Sequence, residues 1–197
     1  MIRHSDSLIL VWKIAELEAR NLGSREIEPA HFFLGLLKKV DLSIGFVADY
    51  FKNGRQDSIE QLAKDVSELK SAFSAGKIES TPTRRQLRSF LHTGHDSTEG
   101  RLRRSIQSRE LFRSAESSAK SAVRPIHLLA SLLGQVPKEL REFLENIGAD
   151  QKAFIAAADR LAKEPGVETR SKIFLRKTGN VPGLEAELKR MRNGHKH

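Results

Sequence analysis

Cysteine is absent from this 197-residue chain. That excludes disulfides, thiolate metal sites and thiol nucleophiles. Aromatics are sparse, at 6% of residues, with one Trp and one Tyr. A core must then be packed mainly from aliphatic and alanine side chains, for which the 39% hydrophobic content suffices. No apolar run approaches the roughly 18 residues that span a bilayer. The start, Met1-Ile-Arg-His-Ser-Asp6, carries no signal-peptide core. A soluble cytoplasmic protein with no membrane partner is expected.

The lack of catalytic motifs is equally informative. Gly76-Lys77 has neither the preceding Gly nor the following hydroxyl of a phosphate-binding loop, so nucleotide hydrolysis is not expected. No Gly-x-Ser-x-Gly elbow or other nucleophile setting occurs. The expectation is a protein that is no enzyme, with no catalytic residues, cofactor or metal. His92-Thr-Gly-His95-Asp96 offers three potential ligands, but structural zinc needs four well-placed ones, and the segment reads as a solvated loop. His195-Lys-His197 is weaker still.

The net charge is +9, unevenly distributed. Residues 1–75 carry −1 and residues 105–162 carry +1, whereas 76–104 carry +4 and 163–197 carry +5. The basic excess therefore lies in two segments flanking nearly neutral units. Arg84, Arg85, Arg88, Arg101, Arg103 and Arg104, with Arg170, Lys172, Arg176 and Lys177 of the tail, could meet phosphates in a salt-dependent way. Only Phe90 and Phe174 accompany them for base stacking.

The near-neutral units repeat. Shifted by 96 residues, His31-Phe-Phe-Leu-Gly-Leu-Leu37 falls on His127-Leu-Leu-Ala-Ser-Leu-Leu133. In the same register Ala19 meets Ala115, Ile27 meets Val123 and Pro29 meets Pro125. Each copy reads as four helices. In the first, Ser5 or Asp6 caps a helix to about Leu22, with Leu8, Val11, Trp12, Ala15 and Ala19 at helical spacing. Pro29 opens a nearly all-apolar central helix, and further helices cover about Ser43–Phe51 and Ser58–Phe73. In the second, a helix from about Leu102 to Ser121 is expected to turn Ile106, Leu111 and Ala115 inward. Pro125 and Pro137 open the next two, and Asp150 caps the last. Within the linker, Arg84–Leu91 can form one short helix. In the tail, Ile173–Leu175 reads as extended and Leu184–Met191 as a short helix. The fold class is all-α, two pseudo-repeats of about four helices. The expected boundaries are a first repeat at 1–75, a basic linker at 76–103, a second repeat at 104–163 and a basic tail at 164–197.

Glu18-Ala-Arg-Asn-Leu-Gly23, Ile27 and the His31 heptad resemble the repeat of the Clp ATPase N-terminal domain family. In the second copy, Val123, the His127 heptad and the ending Leu140…Phe143-Leu144…Ile147-Gly-Ala-Asp150 fit the same pattern, with Ala119 where a Gly would stand. The likeness covers roughly residues 5–162, without the AAA+ module. It implies a stand-alone relative or a truncated unfoldase: a non-catalytic protein-binding module, adaptor or regulator of substrate delivery. The implied partners are a Clp-type unfoldase or protease, an adaptor, or an unfolded substrate. The alternative is a nucleic-acid-associated protein using the linker and tail.

Some members of that family bind phosphoarginine through a Glu before each repeat His and a hydroxyl at the start of the first helix. Here those positions hold Ala30 and Ile126, with Ser5 in the first copy and Arg101 in the second. The resemblance therefore does not carry phosphoarginine recognition over. The candidate partner-binding positions are the repeat-related helix starts Ser5, Glu28, Ala30, Arg101, Arg124 and Ile126. Pro29, His31, Pro125 and His127 are read as structural, each His supplying a ring nitrogen to a free backbone group in the first helical turn. Trp12, Phe32 and Phe33 are read as core.

Overall fold

A computed structural model describes residues 2–51, 56–91 and 102–167. The elements run β1 Arg3–His4, α1 Asp6–Asn21, β2 Glu26–Ile27, α2 Pro29–Asp41, α3 Ile44–Tyr50 and α4 Ile59–Ala75. Then come α5 Ser80–Leu91, β3 Arg103–Arg104, α6 Ile106–Ser118, β4 Ala122–Val123, α7 Pro125–Gly134, α8 Lys138–Asn146 and α9 Gln151–Ala162. The fold is all-α, with four helices in each repeat and α5 between them. The expected tail segments, the His92–Asp96 cluster and Arg101 lie outside the described residues.

Serines start the helices. Ser5, Ser43, Ser58 and Ser105 each accept from the amide three residues on, at 3.1–3.2 Å, satisfying a donor that the first turn leaves free. Glycines end two of them. Gly23 (φ 71°) and Gly148 (φ 70°) take the left-handed conformation, so that Ser24 and Ala149 donate back to Ala19 and Leu144.

Helix α2 is the axis of the molecule. Phe32, Phe33, Leu34, Leu36 and Leu37 are all fully buried, against α1, α4, α5 and α7. Its approach to α1 depends on Gly35: a Cβ there would stand 2.7 Å from the Val11 carbonyl oxygen.

Two-residue strands join the repeats, a feature absent from the helical reading. β1 of the first repeat pairs in parallel with β4 of the second, Arg3 opposite Ala122 and His4 opposite Val123. β2 pairs with β3 in the same way, Glu26 opposite Arg103 and Ile27 opposite Arg104. Each repeat thus lends its first strand to the other. The Ser5 and Ser105 amides extend the two ladders, donating to Val123 and Ile27. Across this seam, Trp12 and Phe112 meet with ring centroids 5.1 Å apart, and Arg104 lies 4.2 Å over Trp12 and 4.8 Å over Phe112.

The strands correct the alignment of the copies. Ser105, not Arg101, is the structural counterpart of Ser5: each follows a strand, caps its helix and extends the ladder. Helix α6 has 13 residues where α1 has 16, and the turn after it is one residue shorter, so the register moves from 100 at the cap to 96 at the next strand. The loss of about one turn keeps the buried face in phase. Helix α6 also begins at Ile106, not near Leu102, and Ile106 is 66% exposed rather than inward. Leu111 and Ala115 do face the core. In the linker, α5 starts at Ser80, earlier than Arg84, because Ser80, Thr81 and Arg84 all bond Asp41 at the end of α2.

Candidate functional site

The strand exchange leaves a cleft on each side of the molecule, where the start of a first helix faces the start of the other repeat's central helix. Proline at the first position of α2 and α7 lacks the amide that the first turn could not use. Two residues on, His31 and His127 reach back. His31 Nδ1 accepts the Glu28 amide at 2.8 Å, and His127 Nδ1 accepts the Arg124 amide at 3.0 Å. An accepting Nδ1 puts the ring proton on Nε2. In His31 that nitrogen is 3.2 Å from Ser24 Oγ, and the His127 ring also bonds the Ala162 backbone. Both rings are neutral. Burial pushes His31 down to about 4. Burial first, then the Arg124 charge, pushes His127 down to about 4 as well.

The first cleft, about 540 Å³, lies between α2, α6 and α8. Glu26, Glu28 and Glu139 line it together with Ala30, Leu91, Ile106 and Leu140. Among the described residues, no Lys or Arg does. In a chain of net charge +9 this is a local concentration of carboxylates around apolar side chains.

The second cleft, about 800 Å³, is its pseudo-equivalent with the charge reversed. Arg124 stands where Glu28 stands in the first, and Arg3, Lys120 and Lys163 join it, with Asp57 and Glu164. Arg124 is not free. Its guanidinium is buried against both carboxylate oxygens of Glu68, at 2.6 Å, and donates to the Glu164 carbonyl. Behind the cleft, Asp57 holds Arg3 at 2.7 Å and accepts the Asp6 amide, while Asp6 accepts the Gln56 and Asp57 amides. Burial raises the Asp6 carboxyl above its usual range despite those bonds.

The sequence-derived candidates are thus distributed. Glu28, Pro29, Ala30 and His31 line the first cleft, and Ser5, Arg124 and His127 the second. Pro125 and Ile126 are buried, and Ile126 belongs to the core. Sequence reasoning missed Glu26, Glu139, Ile106 and Gln61 as cleft residues. Only Ile106 carried a signal, as an apolar residue straight after a capping serine. The arginines of the 76–104 stretch are partly engaged: Arg84 with Asp41 at 2.9 Å, Arg88 with Glu18, and Arg104 with the Trp12 and Phe112 rings. No group of three or more potential metal ligands occurs among the described residues. None of the described helices is long and apolar enough to cross a membrane.

No family model and no curated relative matches the chain. Solved structures do. The N-terminal domain of Hsp104 from Candida albicans superposes with a TM-score of 0.58 at 15% identity, over 85% of this chain and 97% of that one. A structure from an investigation of a malarial protein secretion system gives 0.48 at 17% identity, over 82% and 95%. The first of these shows that the fold is like that of the Hsp104 N-terminal domain.

Proposed function

We propose that this chain is a non-catalytic polypeptide-binding module, taking an adaptor or an unfolded segment in the Glu26/Glu28/Glu139 cleft and modulating delivery to a Clp-type unfoldase. The observation that carries the reading is Ile106. It is a large aliphatic side chain, 66% exposed, at the mouth of a cleft ringed by three glutamates. An exposed apolar anchor with a polar rim is the arrangement from which protein interfaces are built. The likeness to the Hsp104 N-terminal domain supports the fold on which the reading stands. The expected ligand is an extended segment with aliphatic residues beside Arg or Lys.

Titrating a labelled, permanently unfolded polypeptide into the intact chain tests this. Ile106→Asp should weaken binding at least about tenfold with an unchanged unfolding midpoint, since loss of a central anchor commonly costs about 2 kcal/mol. Glu28→Lys should weaken basic segments selectively. Equal binding by wild type and Ile106→Asp would sink the reading. Co-purification with a Clp-type unfoldase at physiological salt tests the delivery role.

A further inference from the structure

The second cleft is bordered by the chain's own backbone. After α9 the chain runs without helical or strand structure from Glu164 to Val167 alongside Gln61, Lys64 and Arg124. Three side chains hold it, each by a main-chain group. Arg124 Nη2 donates to the Glu164 carbonyl at 2.6 Å, Lys64 Nζ donates to the Pro165 carbonyl at 2.7 Å, and the Val167 amide donates to Gln61 Oε1 at 2.6 Å. The segment's side chains contribute little to this. Pro165 and Val167 are exposed, and the Glu164 carboxylate turns back to Arg160 at 3.2 Å. Gly166 is the closely approached position: a Cβ there would stand 3.0 Å from Gln61 Oε1, an oxygen already engaged by the Val167 amide.

Two of the holding groups are themselves fixed. Gln61 Nε2 donates to buried Asp65 Oδ1 at 2.7 Å, which leaves Oε1 as the end of the amide turned to the segment. Glu68 fixes the Arg124 guanidinium from the other side. One donor and one acceptor are thus set in place along one edge, with Lys64 as a second donor beside them, matched to an extended main chain. The segment takes only that edge, since a space of about 800 Å³ remains beside it. The first cleft has no such segment among the described residues.

We propose that the Gln61–Lys64–Arg124 edge is a peptide site that reads main chain and favours a glycine, occupied by the chain's own Glu164–Val167 until an extended segment of a partner polypeptide exchanges with it. A longer partner segment takes the same three bonds and gains the open space as well. The internal segment is favoured by its tether, which raises its effective concentration, so exchange needs that added contact. This site complements the acidic cleft of the proposed function.

The probe is a labelled, end-capped peptide with the sequence of residues 162–169, added to the intact chain. Two readouts are followed: peptide anisotropy and hydrogen exchange at the Val167 amide. With wild type, saturating peptide should accelerate Val167 exchange, because the tethered segment is displaced. Gly166→Val in the full chain should loosen the tethered segment and tighten peptide binding at least about tenfold. Lys64→Met, added to Gly166→Val, should weaken it again without changing the circular dichroism spectrum. A peptide carrying Val at the Gly166 position should bind more weakly than the glycine peptide. Unchanged Val167 exchange together with no peptide binding by Gly166→Val would overturn the proposal. Equal binding of the glycine and valine peptides would overturn it too. Ile106→Asp should leave every one of these readings unchanged. Loss of unfolded-polypeptide binding at the Ile106 cleft is therefore a separate failure.

Discussion

Arg124 Nη1 lies 2.6 Å from both carboxylate oxygens of Glu68, and each side chain is less than 5% exposed. This ion pair joins the start of α7 in the second repeat to α4 in the first. Burial raises the Glu68 carboxyl even against the Arg124 charge, so desolvation outweighs the partner.

Removing Arg124 alone should therefore be costly, because Glu68 is left buried without its partner. Arg124→Leu is expected to lose about 3 kcal/mol in urea unfolding. Arg124→Leu with Glu68→Leu should recover most of that loss, to within about 1 kcal/mol of wild type. A double variant no more stable than Arg124→Leu would show that the pair itself is a net source of stability.

His31 and His127 make stability depend on pH. Both titrate at about 4 when folded, against the ordinary 6.5. A depressed value means that the unfolded chain takes up protons first, so stability falls as pH drops from 6.5 towards 4. The limiting loss is about 3 kcal/mol for each ring. His31→Gln/His127→Gln keeps an acceptor for the Glu28 and Arg124 amides and removes the titration. Asp6, Asp65 and Glu68, all raised by burial, act in the opposite direction and are common to both proteins. The difference between wild type and the double variant, measured from pH 7 to 4, should therefore isolate the rings.

Gly35 should not tolerate alanine. The added Cβ meets the Val11 carbonyl oxygen at 2.7 Å and Val11 Cγ1 at 3.3 Å, and backbone cannot swing aside. Gly35→Ala is expected to cost about 2 kcal/mol by forcing α1 and α2 apart. Gly45→Ala on α3, with nothing within 4 Å, should be neutral or stabilising by up to about 1 kcal/mol. Thermal unfolding of the two variants distinguishes close packing from helix propensity.

Arg104 covers the single tryptophan of the chain. Arg104→Met should change Trp12 emission in the folded state and lower stability by about 1 kcal/mol, the scale of a cation–π contact. Because Arg104 and Trp12 belong to different repeats, the emission change also reports on the seam. An unchanged spectrum would mean that the guanidinium does not sit on the ring in solution.

The parts legible in the sequence were those decided locally. A proline, a histidine two residues later and an all-apolar run mark α2 and α7, because first-turn amides and helix burial are settled within one turn. The two-residue strands left no trace, since no periodicity develops over two positions. Ser105 was hidden for a related reason. Loss of about a turn from α6 breaks an ungapped register, so Arg101 fell where the capping serine belonged.

The sequence by itself determined most of the helices, the Ser5 and Asp150 caps and the duplication. Each depends on contacts a few residues apart. Tertiary structure alone decided that the repeats exchange strands, that one cleft gathers Glu26, Glu28 and Glu139 and that the other holds the chain's own backbone. Those partners are far apart along the chain: Arg124 and Glu68 by 56 residues, Val167 and Gln61 by 106. At such separations chain closure costs entropy that local propensity cannot repay, and only burial in the assembled core decides which groups meet.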